Sequence, residues 1–235
     1  MLNLFSQDFN HLPGDLPIFL SILFIACTLF TLIILYAASN KSKNVLITSL
    51  VWLGLQGVLS YGLFYTDTTT LPPKFAFAIV PTLIFMGFLF FTKSGKEYIQ
   101  SINLKTLYLV HVVRIPVEFG LLGLAIYKAI PFLMTFEGVN FDIFAGITAP
   151  LIILGYFVKN WFSDKLVLIW NVVCLGLLLA IIVNAVLSVQ SPLQTQGFDQ
   201  PNIAILHFPY NWLASYIVPV VIFAHSVSIK RVYSK

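Results

Sequence analysis

The chain has 235 residues, of which 59% are hydrophobic and only 9% charged, where a typical globular chain carries about a quarter charged residues. Thirteen basic and nine acidic residues cannot coat a soluble globule of this size, which excludes one, and the 22 Phe and 10 Tyr suit a surface that faces lipid. The same composition excludes a disordered chain, and a disulfide scaffold is excluded because Cys27 and Cys174 both lie inside apolar runs.

A bilayer core about 30 Å thick takes on the order of 20 apolar residues per helix, and seven runs of roughly that kind follow one another. They cover Leu16 to Ala38, Val45 to Tyr65, Phe75 to Thr92, Thr106 to Tyr127, Ile143 to Val158, Leu166 to Val189 and Trp212 to Ile229, the fifth being the shortest. The first is too long for the apolar region of a signal peptide, and the segment before it has Asp8 and Asp15 but no basic residue, so it is kept as a span.

If all seven cross, Lys41, Lys43, Lys93, Lys96, Lys105, Lys159, Lys165, Lys230, Arg231 and Lys235 fall on one side and only Lys74 and Lys128 on the other. The excess of Lys and Arg marks the cytoplasm, which puts the N-terminus outside and the C-terminus inside. Asp8, Asp15, Asp67, Glu137, Asp142 and Asp199 then collect outside, so the net charge of +4 reflects topology and calls for no nucleic-acid partner. No fused soluble kinase, cyclase or nuclease is expected at either end.

The chain also matches itself. Lys43 to Leu55 reads KNVLITSLVWLGL and Lys165 to Leu177 reads KLVLIWNVVCLGL, eight of thirteen identical; IVPTLIF from Ile79 matches IVPVVIF from Ile217 at five of seven, with Pro81 on Pro219. LIIL occurs at Leu32 to Leu35 and at Leu151 to Leu154. The plainer account is that helices drawn from Leu, Ile, Val and Phe often match; three matches in chain order favour a parallel repeat. The expected architecture is one domain over residues 1–235, an all-α integral membrane protein of seven helices in 3+1+3 order: repeat A at 16–92, a linker helix at 106–127, repeat B at 143–229. This layout resembles that of the SWEET sugar transporters and the wider PQ-loop group, which are seven-span, outside-in carriers of the same order. The likeness is one of architecture: there is no Pro-Gln signature, and Pro81, Pro116, Pro150 and Pro219 do not form the SWEET proline set.

Ionisable residues at bilayer depth are costly and mark function by default. The fourth span holds three, in HVVRIPVE: at 100° per residue His111, Arg114 and Glu118 lie within about 60° of one another. A rise of 1.5 Å per residue from Thr106 puts them roughly 7, 12 and 18 Å deep. Pro116 removes a helix hydrogen bond between the last two. The bland alternative is that Arg114 and Glu118 neutralise one another at i, i+4 while His111 caps them. The functional one is a proton or ion switch on a helix packed against both repeats. Gln56, with Ser49 and Ser60 on its face of the second helix, is expected to point inward, and Asn171 matches Ser49 through the repeat. Asn184 faces elsewhere. His225, in the last span, lies at a depth like that of His111.

The sequence reads best as a multi-pass carrier in the cell membrane, the bacterial inner membrane in particular, for a small polar or charged solute. The solute would bind between the repeats near Gln56, Glu118 and Asn171, with His111, Arg114 or His225 governing ionisation. The lipid bilayer is a partner, and a homo-oligomer or a partner membrane protein stays open. No cofactor is expected. One rival is a small membrane enzyme or redox protein with haem or metal at His111 and His225 and Glu118 beside them, although no HxxxH, CxxC or HExxH spacing reinforces it. A second is a receptor-like sensor or partner subunit. No protease motif is present, and the last span, Trp212 to Ile229, has no lysine of the retinal-binding kind, which excludes a conventional rhodopsin. His11 and His207 are expected to be solvated or interfacial, Trp212 to anchor at the interface, and the outer connections at 129–142 and 191–211 to fold over the outer mouth.

Overall fold

The structure, a computed structural model, describes residues 11–233; Asp8 and Lys235 of the charge count above lie outside them. Every element among the described residues is helical. Helix α1 is Ile18–Ala38, α2 Lys43–Tyr61, α3 Ala76–Phe91 and α4 Lys93–Ser101. A fourth apolar segment, Leu104–Ile126, consists of α5 (Leu104–Tyr108), a 3-10 turn at Leu109–Val113 and α6 (Arg114–Ile126). Then come α7 (Ile143–Ile152), continued as a π-helix over Ile153–Val158, then α8 (Asp164–Leu187), and finally a π-helix over Leu213–Ile217 that leads into α9 (Val218–Tyr233).

Five helices are long and apolar enough to cross a membrane, and a sixth span results if α3 and α4 are taken together across their 91° bend. Each of the seven apolar runs thus lies on helix, but Ile143–Val158 is shorter than a full crossing. The count that length and composition establish is five to six rather than seven. The bend has a local cause. Thr92 leaves helical geometry, with φ −80° and ψ 155°, and its hydroxyl accepts the Gly95 N–H at 3.2 Å, an N-cap that starts a new helix. Residues read as a loop, Lys93–Ser101, therefore form α4.

The packing centres on the fourth segment. It lies along α1 on one side and α7 on another, and α9 reaches its 3-10 turn. Close approach is made by glycine. A Cβ on Gly120 or Gly123 would come within 2.8 Å of Phe24 or 2.6 Å of Leu20 on α1, and one on Gly146 of α7 within 2.9 Å of Ile115. Small residues let membrane helices pack backbone to backbone in this way. Helices α8 and α9 run along one another, whereas α2 and α3 touch only sparsely. Pro219 withholds the N–H that would meet the Ser215 carbonyl one turn back; the Trp52 indole on α2 takes that carbonyl instead, at 2.9 Å.

Candidate functional site

A buried polar cluster surrounds the fourth segment where its helix changes type. The 3-10 turn has three residues per turn, so side chains at i and i+3 eclipse; His111 and Arg114 are brought to one face, and a turn of α-helix later Glu118 follows. Five residues from elsewhere in the chain meet them: Asn140 and Asp142 from the connection before α7, Trp170 and Asn171 from α8, and His225 from α9. His111, Asn171 and His225 have no solvent exposure, and Arg114, Glu118, Asn140 and Asp142 have 4% or less.

Arg114 is the hub. Its Nη1 lies 3.1 Å from Asp142 Oδ1, and its Nη2 lies 3.0 Å from His225 Nε2. A guanidinium only donates, so His225 Nε2 accepts, which leaves the ring proton on Nδ1. Nδ1 then donates to Asn171 Oδ1 at 2.9 Å, and the Asn171 amide donates to the Tyr108 hydroxyl at 2.6 Å and to the Val167 carbonyl at 2.8 Å. From Arg114 to Tyr108 every donor points the same way. The chain is a hydrogen-bonded wire of one polarity.

Glu118 is held separately. Asn140 Nδ2 donates to its Oε1 at 2.7 Å and to the Met134 carbonyl at 3.0 Å, while Asn140 Oδ1 accepts the backbone N–H of Asp142 at 3.0 Å. One asparagine thereby spans the two acids. Glu118 Oε2 and both ring nitrogens of His111 have no hydrogen-bond partner. The His111 ring lies over that of His225, centroids 4.1 Å apart at 32°, with Trp170 edge-on at 5.4 Å. Beside the cluster is a cavity of about 70 Å³ lined by Arg114, Glu118 and Asp142 and otherwise only by apolar side chains, among them Ile79, Leu178, Ile182 and Val221. It has room for a few waters or a small solute.

The structure brings five of the six residues singled out in the sequence into one place: His111, Arg114, Glu118, Asn171 and His225. Arg114 does not pair with Glu118 one turn along; its ionic partner is Asp142. The reason is geometric. Glu118 is taken by Asn140, and Asp142 enters from the side that the guanidinium faces. Gln56 belongs elsewhere. It accepts from Tyr65 at 2.6 Å, and its backbone carbonyl takes Asn211, which also binds Ser60, in a second, outer polar cluster.

Asp142, Asn140 and Tyr108 were not anticipated, because acids and amides in a connection between spans are expected in water and a membrane tyrosine reads as an anchor. The signal for Asn140 and Asp142 is the string VNFD at the mouth of a short helix. Two smaller expectations shift, those for His207 and Trp212, while Asn184 lies where it was expected. His207 is buried, at 6% exposure, and Trp212 is a clamp between helices, its indole on the Leu53 carbonyl at 3.0 Å. Asn184 faces elsewhere and accepts from Gln196 of the outer connection at 3.0 Å.

For a metal or haem the ligand chemistry is thin. Both nitrogens of His225 are engaged, which leaves those of His111, and among the described residues no three His, Cys, Asp or Glu side chains gather in metal-binding reach. No family model, curated protein or solved structure matches the chain, so function has to be argued from these residues.

Proposed function

We propose that the protein is a proton-coupled carrier of a cell membrane, seven-spanning and built as a 3+1+3 repeat with its Lys-rich side in the cytoplasm. Its solute is a small organic cation with an apolar body, taken up in the cavity beside Arg114, Glu118 and Asp142. The observation that carries this is the wall of that cavity. Three charged residues stand among aliphatic side chains, one base against two acids, and Asp142 already occupies the base. The surplus carboxylate is Glu118, with one oxygen unpartnered. Only a proton or a cation satisfies it in a low-dielectric site, and an aliphatic wall selects a cation that carries methyl or methylene groups. Because proton and cation need the same carboxylate, each displaces the other. Mutual exclusion at one site is the requirement for exchange transport. The wire from Arg114 through His225 and Asn171 to Tyr108 keeps the guanidinium fixed while Glu118 changes partner.

Vesicles loaded at acid pH and diluted into alkaline buffer with labelled tetramethylammonium or tetraethylammonium test it. Accumulation above protein-free vesicles, abolished by a protonophore, is expected; Glu118→Gln, which keeps the contact with Asn140 but removes the charge, abolishes the gradient-driven part. Accumulation of neither cation, or uptake by Glu118→Gln equal to the parent's, would overturn the proposal.

A further inference from the structure

A second space in the molecule shares no lining residue with the cavity at Arg114. Between α2, α3 and α9 lies a cleft of about 520 Å³, in the range of pockets that hold a drug-sized molecule. It opens where α2 and α3 touch only sparsely. No Asp, Glu, Lys, Arg or His lines it.

Its hydroxyls decide what it holds. A hydroxyl on a buried or lipid-facing helix can satisfy itself on the carbonyl four residues back, and Thr28, Thr31, Ser60, Thr148 and Ser228 all do so, at 2.6–2.9 Å. Thr82 does not. Its Oγ1, on the α3 wall of the cleft, is buried without a hydrogen-bond partner, and so is the hydroxyl of Tyr216, a residue 4% exposed that lines the cleft from the π-helix leading into α9. The Tyr216 hydroxyl comes near that of Ser49 on the α2 wall, but the two close no hydrogen bond. Each of the three walls thus brings a hydroxyl to one cleft. A hydroxyl carries one proton to donate, so what Thr82 and Tyr216 lack is an acceptor.

The rest of the wall sets the rest of the ligand. With no charged side chain to pair with, an ionic ligand would be stranded there, so the ligand is uncharged. Trp52, Phe85, Tyr98 and Phe223 line the cleft with rings, those of Tyr98 and Phe223 within 17° of parallel, which suits a flat conjugated body. Leu89 and Val220 leave an aliphatic stretch for a tail. An uncharged flat ring with carbonyl acceptors and a hydrocarbon tail is a quinone.

We propose that this cleft is a binding site for a lipid-soluble quinone, whose carbonyl oxygens accept from Thr82 and Tyr216 and whose ring lies among the aromatic side chains. Binding there does not depend on what the carrier site takes.

Trp52 in the wall is a built-in reporter, since a quinone quenches an indole that it contacts. The purified chain, at fixed detergent, is titrated with a decyl-substituted benzoquinone while tryptophan fluorescence is read; decylbenzene, which has a ring and the same tail but no oxygen, is the competitor. Saturable quenching is expected, lost in Trp52→Phe and relieved by decylbenzene only at concentrations at least about fivefold above those at which the quinone binds. Tyr216→Phe and Thr82→Val each remove a hydroxyl that the chain leaves unpaired, so each is expected to weaken binding about fivefold, the effect of roughly one hydrogen bond, without lowering thermal stability. The double variant keeps Trp52 and carries the test where Trp52→Phe loses its helical circular dichroism. Quenching that does not saturate, that persists in Trp52→Phe, that decylbenzene relieves as readily as the quinone binds, or that is unchanged in the double variant overturns the proposal. So does a double variant that melts well below the parent, since its hydroxyls would then be paired within the chain.

Discussion

Arg114 is the residue on which the buried chemistry turns, since it carries the one cation of the cluster and meets Asp142 and His225 at once. Removing one member of a buried ion pair costs about 3–5 kcal/mol, whereas replacing both by neutral groups is often harmless. Arg114→Met is therefore expected to lower folding yield and thermal stability sharply, by that order. Arg114→Met with Asp142→Asn should recover most of the stability but not transport. The pairing with Asp142 separates this from an Arg114–Glu118 pair: if Glu118→Gln rescues Arg114→Met better than Asp142→Asn does, the ionic partner has been misassigned. At this scale much was legible. A charged or imidazole side chain in an apolar run has nowhere to go but inward, so His111, Arg114, Glu118 and His225 stand out, and so does the Asn171 amide inside the apolar run Leu166 to Val189. Asp142 does not stand out, because an acid next to Phe141 in a connection looks solvated until the fold carries that connection down onto Arg114.

The helices place these residues by irregularities that periodicity does not announce. A regular helix over Leu109–Val113 would rise 1.5 Å per residue rather than about 2 Å and would leave His111 about 60° round the axis from Arg114 instead of eclipsed with it. Pro116 explains why the turn departs from regular geometry, yet whether such a departure becomes a kink, a 3-10 turn or a π-helix is decided by neighbours. Pro150 is followed and Pro219 preceded by π-helix, and three prolines thus have three outcomes. Neighbour packing is also where an element can be broken selectively. Gly146 of α7 crosses the fourth segment at Arg114, where a Cβ would lie 2.9 Å from Ile115 Cγ1, 3.1 Å from its backbone nitrogen and 3.2 Å from Arg114 Cβ. Overpacking costs typically about 1–3 kcal/mol. Gly146→Val is expected to destabilise by that amount and to loosen Arg114 from Asp142, whereas Gly176→Val, where a Cβ meets nothing within 4 Å, should leave thermal stability unchanged. Equal melting shifts for the two would mean that α7 does not make this crossing.

For the whole molecule, composition and run length anticipate an all-helical chain with five to six helices long and apolar enough to cross a membrane, and the boundaries of the apolar runs fall within a few residues of the helices. What composition does not settle is whether Ile143–Val158 crosses, since a short apolar helix packed against protein on one side can also enter and return. The consequence is large, because a segment that does not cross inverts the side of everything after it. Three exposed positions separate the cases: Ser94 beside Lys96, Asn160 after the short helix, and Asp199 in the last outer connection. With seven crossings Ser94 and Asn160 share the cytoplasmic side, Asp199 is outside, and lysine and arginine split ten to two. Without that crossing Asn160 moves outside and Asp199 inside, which places Lys159 and Lys165 outside and breaks the excess of cytoplasmic charge. Both native cysteines, Cys27 and Cys174, are free and buried, so their replacement by alanine gives a background for single cysteines at each position. A membrane-impermeant maleimide applied to intact cells is expected to label Asp199→Cys alone, and to label Ser94→Cys and Asn160→Cys only once the membrane is opened. Labelling of Asn160→Cys from outside together with protection of Asp199→Cys would reduce the count to six and remove the parallel relation of the two triplets, since the second would then no longer cross in the same direction as the first.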